Sequence, residues 1–117
     1  MARNIKVMAL TLGFLYTFST GSGPPGDVVP WPMTLDAAVE DILAGMSEED
    51  KKIIWSLEKE QLIQYHHGWG TDIRNEYGLW RGNEALMVSA CGRPCLPDTA
   101  SMYIIEAVWA ALQESPY

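Results

Sequence analysis

His66, His67, Arg74 and Asn75 stand on about two turns of a single helical stretch, and Asp98 follows at the start of a later one. An imidazole, a guanidinium and an amide held together could line a pocket for an anion or carboxylate. In that reading His66 is a general base, Arg74 an anion clamp, and Asn75 or Asp98 the group that orients the base, which is the equipment of a small hydrolase or transferase. The same residues could equally cap and clamp adjoining backbone. Arg74 lies at the edge of an apolar stripe, where its stem covers core while its head reaches either a protein carboxylate such as Asp98 or Glu106, or an external anion. No metal site and no cofactor are expected, because the positions three and four after His66 are Trp69 and Gly70, and neither is a ligand.

The element that must position these groups runs from Gln61 to Trp80. Wound at about 100° per residue, Leu62, His66, Trp69, Ile73, Tyr77 and Trp80 fall on one arc, while Gln64, Thr71 and Asn75 point away from it. This predicts a third and longest helix from Glu58 or Lys59 to Gly78, with its arc facing the core. His66, in the middle of that arc, is then either a hydrogen-bonded core histidine or a site residue. Gly68 and Gly70 each cost about 1 kcal/mol relative to Ala inside a helix. Gly70 therefore either lets a neighbour approach closely, or the helix breaks between His67 and Gly70.

Tyr65-His66, Gly68, Gly70, Ile73-Arg74-Asn75, Tyr77-Gly78-Leu79-Trp80 and Gly82-Asn83, then Pro97-Asp98, Ala100-Ser101 and Ile104-Ile105-Glu106, carry a resemblance. The chain resembles a family of uncharacterised small bacterial domains whose pattern reads H-F-x-x-G-x-x-I-R-N-x-F-G-L-W and later H-P-D-D-A-S. The resemblance covers roughly Trp31 to Leu112 and implies a small helical fold; it implies no activity. In two places the chain departs from the pattern: His67 replaces an aromatic, and Leu96 replaces a histidine before Pro97-Asp98. If the pattern holds a two-histidine site, one half of it is missing here.

With 117 residues, 48% of them hydrophobic and 20% charged, the chain has room for one globular domain. Met1 to Gly23 has a basic start, an apolar run from Val7 to Phe18 and small residues after it, which predicts a cleavable signal peptide cut after Gly21 or Gly23. The run is short for a transmembrane span, so no stable membrane anchor is expected after cleavage. Of the eight basic residues, Arg3 and Lys6 lie in this segment. Without it six basic residues face fifteen acidic ones, a net charge of -9. A chain so acidic repels nucleic acid and suits solubility or a basic protein partner.

Residues 24–33 are rich in proline and form an extended lead-in, with Trp31 expected to dock it on the core. Thr34 caps a helix from Leu35 to Ala44, and Ser47 caps a second one reaching about Leu57. Asn83 caps a short helix from Glu84 to Ala90, and Asp98 a last one from Thr99 to Glu114. No segment alternates long enough to demand a strand. The fold class is therefore all-α, a bundle of about five helices over residues 34–115. Cys91 and Cys95 enclose Gly-Arg-Pro, and in an exported chain they are expected to pair as a disulfide rather than to bind zinc, since nothing nearby supplies two more ligands.

Two functions fit these observations. One is an exported envelope protein, periplasmic or secreted, that binds a protein partner in the manner of an immunity protein or inhibitor through an edge running from His67 past Arg74 and Asn75 to Arg81. The other is the hydrolase or transferase built on His66 and Arg74. A concave pocket holding both residues would favour chemistry, whereas His66 sealed under Trp69 and Trp80 would favour structure.

Overall fold

The computed structural model describes residues 31–114. The expected signal peptide, the lead-in as far as residue 30, and residues 115–117 lie outside the described residues. The chain folds as an all-α bundle: α1 (Leu35–Gly45), α2 (Glu48–Trp55), a 3-10 helix (Lys59–Tyr65), α3 (Trp69–Glu76), α4 (Glu84–Cys91) and α5 (Pro97–Gln113). No strand occurs among the described residues.

α5 is the axis of the bundle and packs against every other helical element. Its inner face is regular, with Ser101, Ile104, Ile105, Val108 and Leu112 buried at helical spacing together with Ala100. Leu62, Leu79 and Leu86 come to it from three other segments and are fully buried, each stabilising the fold by about 1.5–3 kcal/mol. The α2 end is fastened by two side chains of α5. Trp109 Nε1 donates to the Leu57 carbonyl at 2.9 Å, and Gln113 Nε2 donates to the Trp55 carbonyl at 3.0 Å.

Three of the expected caps are in place. The side-chain oxygens of Thr34, Ser47 and Asn83 accept from the amides of Ala37, Asp50 and Leu86, at 3.1, 3.0 and 3.3 Å. Asn83 does more than cap. Its buried amide nitrogen also donates to the carbonyls of Pro32 (2.9 Å) and Tyr77 (2.7 Å), joining the lead-in to the end of α3. Trp31 docks as expected, its ring lying directly on the backbone of Gly78.

The long third helix is corrected. Of the two courses left open by Gly68 and Gly70, the break is the one taken: a turn at residues 66–68 divides the stretch into the 3-10 helix and α3, so that α5, with 17 residues, is the longest helix among the described residues. In an unbroken helix the His66 carbonyl would accept from the amide of Gly70; here it accepts from the Arg74 guanidinium instead, at 3.1 Å. Two low-propensity glycines and a competing donor therefore outweigh one turn of helix. Trp80 is displaced for a separate reason. The 100° period that placed it on the core arc ends with α3 at Glu76, and Trp80, in the turn beyond, is 60% exposed.

Asp98 is a second correction. It does not cap α5, because the helix starts two residues earlier than expected, with Pro97 at its first position and Leu96 at the N-cap. Proline suits that position, since its fixed φ is already helical and it has no amide to leave unbonded. Asp98 lies instead in the first turn, where its carboxylate is free to face Arg74.

Candidate functional site

Arg74 is buried, only 5% exposed, and its guanidinium is engaged on every side. Nη1 donates to Ser101 Oγ at 2.8 Å, and Nη2 donates to the His66 carbonyl at 3.1 Å and to Thr71 Oγ1 at 3.0 Å. Nε lies 3.5 Å from Asp98 Oδ1. The accepting hydroxyls are themselves donors. Ser101 Oγ donates to the Asp98 carbonyl at 2.9 Å, and Thr71 Oγ1 to the His67 carbonyl. One planar fork thus ties the turn at residues 66–68, α3 and the first turn of α5 into a single network, which a lysine ammonium could not do. Gly70 makes room for it: a Cβ there would lie 3.1 Å from Arg74 Nη1 and 3.3 Å from the Tyr65 carbonyl.

Above this network an open groove of about 400 Å³ runs between the 3-10 helix and α5. Ile63 and His66 line one side, and Asp98, Thr99, Met102, Tyr103 and Glu106 the other. Arg74 is not among the lining residues; it supports the groove from beneath through His66 and Asp98. Ile63 is 64% exposed and Tyr103 45% exposed, so two large apolar side chains flank an acidic and imidazole-bearing depression. Glu106 is paired loosely with Lys59 at 3.9 Å, a solvent-exposed pair of the kind that contributes about 0–1 kcal/mol.

His66 is partly exposed and packs edge-on against His67, with ring centroids 4.8 Å apart. Its Nδ1 is buried without a hydrogen-bond partner among the described residues. A catalytic histidine is ordinarily oriented through the nitrogen it does not use for proton transfer, by a carboxylate or a carbonyl. Neither Asn75 nor Asp98 fills that role here. Asn75 is exposed on α3, where its carbonyl accepts from Arg81 Nη2 at 2.7 Å, and the Asp98 carboxylate is turned to Arg74.

The residues singled out by spacing therefore separate into three places. His66 and Asp98 share the groove. Arg74 lies under it and presents no surface to a partner. His67, Asn75 and Arg81 are exposed along and beyond α3, with Arg81 stacked over the Trp31 ring, 5.2 Å from its centroid. Ile63, Thr99, Met102 and Tyr103 escape a search for reactive side chains. The one partial signal is on α5, where Met102 stands between Asp98 and Glu106 at four-residue spacing, and it marks neither Ile63 nor the exposure of these side chains together.

Cys91 and Cys95 form a disulfide that closes the loop between α4 and α5. No group of three or more His, Cys, Asp or Glu among the described residues is arranged to hold a metal ion, and no described helix is long and apolar enough to cross a membrane.

Tyr65, at the end of the 3-10 helix, makes an edge-on contact with Trp69, the ring centroids 6.0 Å apart. Burial raises its phenol above the ordinary 10.0, and the Asp50 carboxylate raises it further. A group whose pKa is raised on folding contributes stability that is fully present below its unfolded value and is lost as pH rises through the folded one. Thermal unfolding followed across pH 9 to 12 should accordingly show a loss of stability above about pH 10 that is smaller in Tyr65→Phe. An identical alkaline profile for the two proteins would remove Tyr65 as its source.

A family model described as a domain of unknown function (DUF6794) matches residues 31–112. It begins at the tryptophan that docks the lead-in and ends at the last buried leucine of α5. No curated protein and no solved structure matches the chain.

Proposed function

The chain belongs to the DUF6794 family, a domain of unknown function, and from that premise we propose that it is an exported protein-binding module whose contact surface is the groove between the 3-10 helix and α5. The observation that carries this reading is the pairing of exposed Ile63 and Tyr103 across a depression whose floor is held rigid by the Arg74 network. Apolar anchors on a preorganised scaffold, ringed by polar groups, are the usual form of a protein contact site. Export is supported by the N-terminal sequence and by the Cys91–Cys95 disulfide, a bond typical of oxidising compartments. The module is immunity- or inhibitor-like in being small and acidic and in covering a larger partner.

The hydrolase or transferase reading has less support. It asks Arg74 to clamp a substrate anion, yet the guanidinium is buried on four protein oxygens, and it asks His66 to act as base without a group to orient Nδ1.

Capture from an envelope extract of the native host, with the oxidised mature chain as bait, tests the binding reading. Wild type and Arg81→Ala should retain the same stoichiometric partner, while Ile63→Ser/Tyr103→Ser should lose it at an unchanged melting temperature. Equal capture by all three proteins would move the contact surface away from the groove. Intact mass of the chain recovered from the same host should begin near Ser22 or Pro24, and retention of Met1 would remove the premise of export.

A further inference from the structure

We propose that the segment received by the groove is cationic: a stretch of a protein partner carrying two lysine or arginine side chains on either side of an apolar anchor. This rests on the reading of the groove as a docking surface and names what docks there. Asp98 and Glu106 occupy positions eight apart on α5, so their carboxylates are spaced by about 12 Å along the helix axis. Met102 lies midway between them, with Tyr103 beside it and Ile63 across the groove. Negative, apolar, negative along one edge is complemented by positive, apolar, positive on the other chain. Cations eight positions apart on a helix, or about four apart on an extended segment, match the 12 Å spacing.

Both carboxylates are available. Asp98 is 56% exposed and offers only Oδ1 to Arg74, leaving Oδ2 without a hydrogen bond among the described residues. Glu106, its side chain 34% exposed, has among the described residues only the loose contact with Lys59, which an incoming guanidinium in two-point contact would displace. The net charge of -7 adds long-range attraction for a basic partner and repels an anionic membrane surface or nucleic acid, which would otherwise compete for an open surface. The lysine or arginine stems would lie on Met102, Tyr103 and Ile63 while their heads reach the two carboxylates.

The test is a titration of the oxidised mature chain, followed by amide NMR, with two synthetic peptides that share one apolar core. One carries lysines at its first and ninth positions and the other carries glutamates there. The lysine peptide should shift the amides around Ile63, His66, Met102 and Tyr103, and Glu106→Lys should weaken it by about tenfold or more while melting like the wild type. Lys59→Ala should tighten it, because it removes the cation that competes for Glu106; a purely structural role for Glu106 would not produce that gain. Equal binding of the glutamate peptide, or shifts confined to α3 and α4, would overturn the proposal. If the lysine peptide fails to bind while Ile63→Ser/Tyr103→Ser still abolishes capture of the envelope partner, the cationic occupant is wrong and the docking surface stands. If capture survives that double variant, the docking surface is itself wrong.

Discussion

Arg74→Ala should lower stability by about 3 kcal/mol and the melting temperature by more than about 10 °C, a loss of the size expected for a core truncation. The expected loss comes mainly from what is left behind. Removing the guanidinium strands the His66 carbonyl and takes from Ser101 Oγ and Thr71 Oγ1 the donor each accepts from, all three at or near the buried side of the network. The ion pair with Asp98 adds little to this figure, since its carboxylate is more than half exposed and the separation is 3.5 Å. Arg74→Lys should fall between wild type and alanine, because one ammonium can meet one or two of these acceptors but not span all of them. Melting of the oxidised chain checks both. An Arg74→Ala protein that melts like the wild type would show that the guanidinium is not a structural clamp, and would return Arg74, with His66 and Asn75, to the candidates for ligand contact.

Gly78→Ala should cost about 2–4 kcal/mol for a different reason. Gly78 has φ +67°, in the left-handed region where a side chain costs about 1–2 kcal/mol, and a Cβ placed there would lie 2.3 Å from the Trp31 ring. The ring cannot yield without undocking the lead-in from the end of α3. The two contributions can be separated by a double-mutant cycle. In a Trp31→Ala background the steric part is already gone, so Gly78→Ala should cost only about 1–2 kcal/mol there. Equal costs in both backgrounds would mean that the Trp31 contact contributes nothing to the glycine requirement.

The helices were legible because their signals are local. Thr34, Ser47 and Asn83 cap as their side chains dictate, and α5 reads as an amphipathic helix from its inner face alone. The departures arise where a distant group overrides a local rule or where two local rules compete. Periodicity runs through residues 66–68 and the glycines offer a break there, but nothing in those residues announces that a guanidinium eight positions away will take the His66 carbonyl and decide between the two. Trp80 leaves the arc for a separate reason, the end of α3 at Glu76. Proline's fit to the first helical position moved the start of α5 and released Asp98 from capping. Arg74 could be foreseen as a clamp or as a contact but not as one rather than the other, since the choice depends on Ser101 and Asp98, which approach only when α3 packs on α5.

The groove was the least legible feature. It is built from ordinary side chains, Ile63, Met102 and Tyr103, whose meaning lies in being exposed together across two elements, and no spacing within either element reveals that. Reactive side-chain types point to His66 on one side of it and Asp98 on the other, but not to the apolar Ile63, Met102 and Tyr103 beside them.

The central claim, that a partner protein docks in this groove, is tested most directly by placing a photoreactive phenylalanine analogue at position 103 and, separately, at position 75 of the chain and irradiating cells of the native host. Position 103 lines the groove and position 75 lies exposed on α3, so both can carry the probe without entering the core. The account predicts one discrete adduct of higher mass from position 103 and none from position 75. An adduct from position 75 alone, or none from either position in cells that contain the protein, would contradict it.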